Sequence, residues 1–250
     1  MTFGFGTVQA VLGLPDNITA LLFDLDGVLT GTAAIHRAAW KETFDPLLAQ
    51  RGQQPFTDDD YNNYVDGRPR FDGVREFLRS RGIDLPEASP DAAPSYDSVQ
   101  GTGNRKNARV QEIIAERGVA PYAGSRRYVE AAKEAGLRIA VVTSSANAVT
   151  VLDAADLTKF VEARIDGVVI ADRKLHGKPA PDSFLAGAEA LDTAPANAAV
   201  FEDALSGVQA GKAGHFGYVV GVDRVGQAAE LTAHGADVVV EDLAELLEEA

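Results

Sequence analysis

The chain has 250 residues, 46% of them hydrophobic, and its 37 Asp and Glu against 23 Lys and Arg give a formal charge of −14 at pH 7. That field repels nucleic acid and anionic membranes and argues against both as partners. There is no cysteine, which rules out disulfides, thiolate metal sites, iron–sulfur clusters and a cysteine nucleophile. No apolar run approaches the roughly 18 residues of a membrane span. The first basic residue is Arg37, too late for the charged start of a signal peptide, so a cytoplasmic globular protein is expected. Any anionic substrate must then be drawn in by local cations or a bound metal.

The first predicted element is the run ITALLFDL (18–25), a continuous apolar strand that ends on Asp24 and Asp26 with Gly27 directly behind. From Thr30 to about Pro121 the strand signal disappears. Three stretches with apolar residues near helical spacing replace it: AIHRAAWKETF (34–44), GVREFLRSRG (73–82) and RKNARVQEIIAERG (105–118), the last two separated by a loop holding Pro86, Pro90 and Pro94. From 122 onward one theme repeats, in which an amphipathic stretch stops at glycine and a β-branched run follows, at 137–143, 215–222 and 236–240. AAVFED (198–203) reads as a further strand, and DLAELLEEA (242–250) as a closing surface helix with Leu243, Leu246 and Leu247 facing inward. Continuous apolar strands alternating with helices predict an α/β protein with a Rossmann-like parallel sheet. Residues 1–30 and 122–250 are expected to form that core, and 31–121 an inserted helical cap domain.

In such a sheet, ligands sit beyond the carboxyl ends of the strands. The residues there are Asp24 and Asp26 after the first run, Thr143, Ser144 and Ser145 after the run at 137–143, and Glu202 and Asp203 at 202–203, with Lys178 following VVIADRKLHG. Acids, hydroxyls and one lysine converging on a crevice suit Mg²⁺, a hard cation that takes oxygen ligands and substrate phosphate. A carboxylate is already ionised at neutral pH, so Asp24 can act as a nucleophile toward phosphorus once charge is cancelled around it, while Asp26 gives a proton to the leaving oxygen and takes one back. Gly27 lets the chain turn sharply after the acids. A calcium loop is excluded because Val28 and Ile35 stand where its remaining acids belong. GVQAGKA (207–213) has the wrong glycine spacing for a phosphate loop, and GTG (101–103) follows no strand. His176, His215 and His234 lack ligand spacing and receive no role.

DLDGVLT, VVTSS, GKPAPDSF and FEDALSG, in this order, resemble the four signature motifs of the haloacid dehalogenase superfamily of phosphotransferases, over nearly the whole chain. Within it the chain is similar to the beta-phosphoglucomutases. TAAIHRAAWK (32–41) resembles their first cap helix, DGRPR (66–70) places Arg70 where they hold a substrate phosphate, and NRKNARV (104–110) places Lys106 and Asn107 on a cap helix facing the core. The resemblance implies Asp24, Asp26, Glu202 and Asp203 around Mg²⁺, with Thr143 and Lys178 completing the catalytic set. It implies that His36 and Lys106 position Asp26 as the cap closes, and that Ser144, Ser145 and Asn147 meet the phosphate or the sugar.

Trp40, at helical spacing with Phe44, is read as cap core rather than a sugar platform. Two positions depart from the resemblance: Ala146 stands where those enzymes usually carry a lysine, and Gly31 where they carry an aspartate. Neighbouring Arg126 or Arg127 is a candidate to compensate for Ala146. The expected function is a monomeric, Mg²⁺-dependent phosphotransferase that interconverts beta-D-glucose 1-phosphate and glucose 6-phosphate through an aspartyl-phosphate. The alternatives are a phosphatase of the same fold acting on a small sugar phosphate and a non-catalytic phosphosugar-binding module.

Overall fold

Four apolar residues with no water contact, Ala20–Phe23, form the central strand β1 of a six-stranded sheet in a computed structural model that describes residues 11–247. The other strands are β2 (Arg138–Val142), β3 (Ala163–Ile165), β4 (Ala198–Glu202), β5 (Tyr218–Val222) and β6 (Val238–Val240), in the spatial order β3-β2-β1-β4-β5-β6 with every neighbouring pair parallel. Phe23 is in register with Val141 of β2 and Phe201 of β4, so these three strands end together. The strand order reverses between β1 and β4, and at such a switch point the connections leave in opposite directions and open a crevice at the carboxyl ends.

Alternate residues feed opposite faces of the sheet. Leu21, Phe23, Ile139, Val141, Ala199 and Phe201 pack into one core, and Ala20, Leu22, Ala140, Val142, Ala198 and Val200 into the other. Phe23 and Phe201 stack at 4.4 Å between ring centroids, with Tyr128 against both. Burial on both faces explains why the strands read as unbroken apolar runs rather than as alternating ones. β3 escaped the sequence reading because it is three residues long and carries an exposed Arg164 at its centre.

Between β1 and β2 the chain is helical: α1 (Thr32–Ala49), α2 (Arg70–Ser80) and α3 (Val99–Arg117), with a π-helical turn at Tyr61–Val65. This segment has its own apolar cluster, in which Phe44 packs on Phe77 at 4.2 Å and Trp40 stacks on Phe44 at 5.1 Å. α3 starts six residues earlier than its apolar spacing predicts, because the Ser98 hydroxyl accepts the Gly101 N–H and caps the helix there. Gly103 is required on this helix: a Cβ there would lie 2.7 Å from the Phe71 ring of α2. The predicted closing helix is instead a single 3₁₀ turn, Leu243–Leu246, started by an Asp242–Glu245 capping box; Leu243 and Leu246 are buried as expected, and 248–250 lie outside the described residues. Residues 1–10 of the expected core lie outside them as well.

Candidate active site

The three central strands deliver their last residues to one place. Lys178, whose side chain has no solvent exposure, donates to Asp24 Oδ1 at 2.6 Å, to Glu202 Oε1 at 2.5 Å and to the Val142 carbonyl at 3.2 Å. The second oxygen of Glu202 accepts the Ala204 N–H at 2.9 Å, so this carboxylate is held from both sides. Beside it, Asp203 packs so closely on the turn after β1 that a Cβ at Gly27 would sit 1.7 Å from Asp203 Oδ2. Gly27 itself has φ +94°, a conformation that favours glycine, which gives the sharp turn predicted from DLDG its steric basis.

Asp24, Glu202 and Asp203 can each offer an oxygen within 4.8 Å of the others, and all three are buried. One lysine cannot balance three carboxylates. Burial, reinforced by the neighbouring acids, pushes Asp24 and Asp203 well above the usual carboxylate range. Burial alone would lower the Lys178 pKa, but the charges of Asp24 and Glu202 outweigh it and hold the ammonium charged. A buried all-oxygen set with surplus negative charge fits a small divalent cation, which would let all three acids stay ionised.

Asp26 does not share in that set. Its Oδ1 accepts from the Thr32 hydroxyl, its Oδ2 accepts from Thr143 Oγ1 at 3.3 Å, and His36 Nε2 stands 3.6 Å from Oδ1. The four-carboxylate metal set expected from the sequence therefore divides into a cluster of three and one acid turned toward the helical segment. The reason is local: β1 ends at Phe23, and the chain is already turning where Asp26 sits, so the strand alternation that would align it with Asp24 no longer applies.

The wall facing the sheet ends comes from the helical segment. On α1, His36 is largely shielded from solvent and its Nδ1 lies 2.8 Å from Lys106 Nζ of α3; desolvation and the adjacent lysine pull its pKa down to about 4. Lys106 is buried, lies 4.8 Å over the Trp40 ring, and has its pKa lowered to about 7 by burial. While Lys106 is charged it can only donate, so His36 Nδ1 is the acceptor and the neutral ring carries its proton on Nε2, the atom facing Asp26. Arg70 donates from Nε and Nη2 to Asn104 Oδ1 at 3.2 and 3.0 Å, and Asn104 is anchored in turn on the Pro90 and Ala92 carbonyls of the proline-rich loop.

Asp24, Asp26, His36, Arg70, Lys106, Asn107, Thr143, Ser144, Ser145 and Asp203 thus line one narrow cavity, with about 50 Å³ of room for water, that is partly open to solvent. Asn147 and the two candidate arginines stay outside it, and Ser144 spends its hydroxyl elsewhere. Asn147 lies behind the wall and bridges core to helix, with Nδ2 2.9 Å from Asn107 Oδ1 and its own Oδ1 accepting from Gln111. Ser144 donates to the Gly67 carbonyl at 2.7 Å. Arg126 is tied to Glu130 and Asp156, and neither it nor Arg127 lines the cavity. The sequence reading also missed Tyr61, Asp66 and Arg68, which do line it. The last two sit inside the DGRPR stretch already singled out, so their nearness to Arg70 was the available signal. Asp66 has its pKa raised to about 6, chiefly by burial and despite the hydrogen bond from Tyr61.

Comparison with known proteins gives a consistent result. A family model described as haloacid dehalogenase-like hydrolase matches residues 18–215. A protein of Mycobacterium bovis named beta-phosphoglucomutase is 54% identical over 247 residues, covering 95% of this chain and 94% of the relative. Its namesake in Bacillus subtilis is 32% identical over 230 residues, covering 91% of each. Among solved structures, CbbY from Rhodobacter sphaeroides in complex with phosphate superposes with a TM-score of 0.68 and 27% identity, covering 92% of this chain and 96% of that one.

Proposed function

The chain belongs to the haloacid dehalogenase-like hydrolase family, whose members named beta-phosphoglucomutase reach 54% identity with it, and on that premise we propose that it interconverts beta-D-glucose 1-phosphate and glucose 6-phosphate. The observation that carries the reading is the pairing of a nucleophile held by a buried ammonium, Asp24 on Lys178, with a separate acid, Asp26, held by groups of the helical segment in the same cavity.

In the first half-reaction a carboxylate oxygen of Asp24 bonds to phosphorus as the bond to the leaving oxygen breaks, and Asp26 protonates that oxygen. In the second, the free hydroxyl of a sugar monophosphate attacks the phosphorus of phospho-Asp24, the bond to the Asp24 oxygen breaks and Asp26 takes the hydroxyl proton, giving glucose 1,6-bisphosphate, which re-enters the first half-reaction through either phosphate. Lys178 aims Asp24 and favours its ionised form against burial, and Thr143 and Thr32 fix the Asp26 carboxyl. His36, oriented by Lys106, offers its Nε2–H to Asp26 when that group is an anion. Mg²⁺ held by Asp24, Glu202 and Asp203 would supply the positive charge that phosphoryl transfer demands. Residues 31–121 serve as the cap that keeps water from phospho-Asp24. A monomer working in the cytoplasm accords with this reading; among the described residues no helix is long and apolar enough to cross a membrane.

The test is direct. Purified protein with Mg²⁺ and glucose 1,6-bisphosphate as primer is expected to convert the beta anomer of glucose 1-phosphate into glucose 6-phosphate. The same assay reads the second possibility, a phosphatase, which Ala146 in the cavity wall favours by leaving that position without a charged anchor. Inorganic phosphate released without isomerisation would establish it.

A further inference from the structure

The cavity cations differ in how far they are already committed. Arg70 spends Nε and Nη2 on Asn104 and lays its guanidinium 4.5 Å over Phe71. Lys106 shares His36 Nδ1 and covers Trp40. Arg68 lines the same cavity, and among the described residues its side chain has no hydrogen bond, ion pair or ring contact. The loop that carries it is held firmly. Ser206 Oγ donates to the Asp66 carbonyl at 2.9 Å, Ser144 Oγ donates to the Gly67 carbonyl, and Pro69 lies where a Cβ on Gly177 would be 2.1 Å from its ring. The Ser144 bond brings Arg68 beside the turn 143–147, whose Ala146 presents only a methyl group to the cavity.

A guanidinium with its donors unused, fixed by a pinned backbone in a half-buried wall, is a receptor for an anion, and its planar fork matches phosphate oxygens. The acids that line this cavity with it, Asp24, Asp26, Asp66 and Asp203, repel any anionic group that is not met by a cation. We propose that Arg68 is a specificity-determining residue that takes the phosphate remote from Asp24 and so supplies, from the helical segment, the charge that Ala146 does not. This rests on the reading of the site as one for sugar phosphates. It makes a bisphosphate, with a phosphate at each end, the ligand that depends most on Arg68.

The test uses the full chain with Mg²⁺, carrying Asp24→Asn so that no phosphoryl group moves to the protein. Calorimetric titration with glucose 1,6-bisphosphate and with glucose 6-phosphate compares this background with and without Arg68→Gln. Loss of a charge-assisted contact is expected to weaken the bisphosphate by about 10- to 100-fold. The ratio of bisphosphate to monophosphate affinity should fall with it. Arg68→Lys, which keeps the charge and loses the fork, should recover part of the ratio, which a merely structural role would not produce. Equal bisphosphate affinities with and without Arg68→Gln, or an equal loss for both ligands with no recovery by lysine, overturn the assignment. If the unmodified chain makes no glucose 6-phosphate but the affinity ratio still depends on Arg68, the mutase reading falls and Arg68 keeps its role.

Discussion

Two buried lysines stand on opposite sides of the site, and the contrast between them separates its two halves. Lys178, beneath the sheet ends, is bonded to two carboxylates that more than offset its burial. Lys106, on the helical wall, has a neutral imidazole and an indole for neighbours, and burial brings its pKa to about 7. The sheet end therefore keeps its ammonium charged, whereas the helical wall holds a lysine that changes state near neutral pH. A fixed field suits the step in which phosphorus is attacked, and titratable groups suit the acid that must give up and regain a proton.

Substitutions at the sheet end should accordingly exceed those on the wall. Asp24→Asn removes the nucleophile and is expected to lower turnover by about four orders of magnitude or more, with no phosphoprotein on incubation with labelled bisphosphate. Lys178→Met leaves Asp24 and Glu202 buried without their cation. Unfolding in urea should show a loss of about 3–5 kcal/mol together with loss of turnover, and a near-normal midpoint would break the contrast. Lys106→Met and His36→Gln are expected to cost about 10²-fold in kcat with little change in fold, because they act through Asp26.

The smallest effects are in the pH dependence of stability. The folded chain binds protons less readily than the unfolded one at His36 between pH 6.5 and about 4, and at Lys106 between pH 10.5 and about 7. Where the unfolded state carries the extra proton, stability rises with pH, so each window contributes stability that is lost as pH falls through it. Denaturation midpoints measured across pH should therefore lose slope in the lower window for His36→Gln and in the upper window for Lys106→Met.

The sheet end was legible in the sequence because each of its acids or hydroxyls terminates a continuous apolar run, so a local pattern already places it in space. Asp24, Thr143, Glu202 and Asp203 were all found in that way. The wall was less legible. His36 and Lys106 lie 70 residues apart and meet only through the packing of α1 on α3. Asn147 was assigned to substrate on the family resemblance, but one residue further on the chain has entered a helix and the amide points at Asn107. Asp66 and Arg68 belong to a loop with no periodicity, whose path is set by hydroxyls from the segments that follow β2 and β4, which no local rule connects to it.

That loop is pinned by its carbonyl oxygens, and every residue type has a carbonyl. Ser144 and Ser206 grip the backbone of residues 66 and 67 whatever side chains the loop carries, with the exception of Gly67, whose φ of +68° and 2.5 Å clearance to Ser206 Oγ admit nothing larger. The latch and the selectivity are thus written in separate parts of the same few residues. Exchanging Arg68 should therefore alter which phosphates bind while the loop keeps its place.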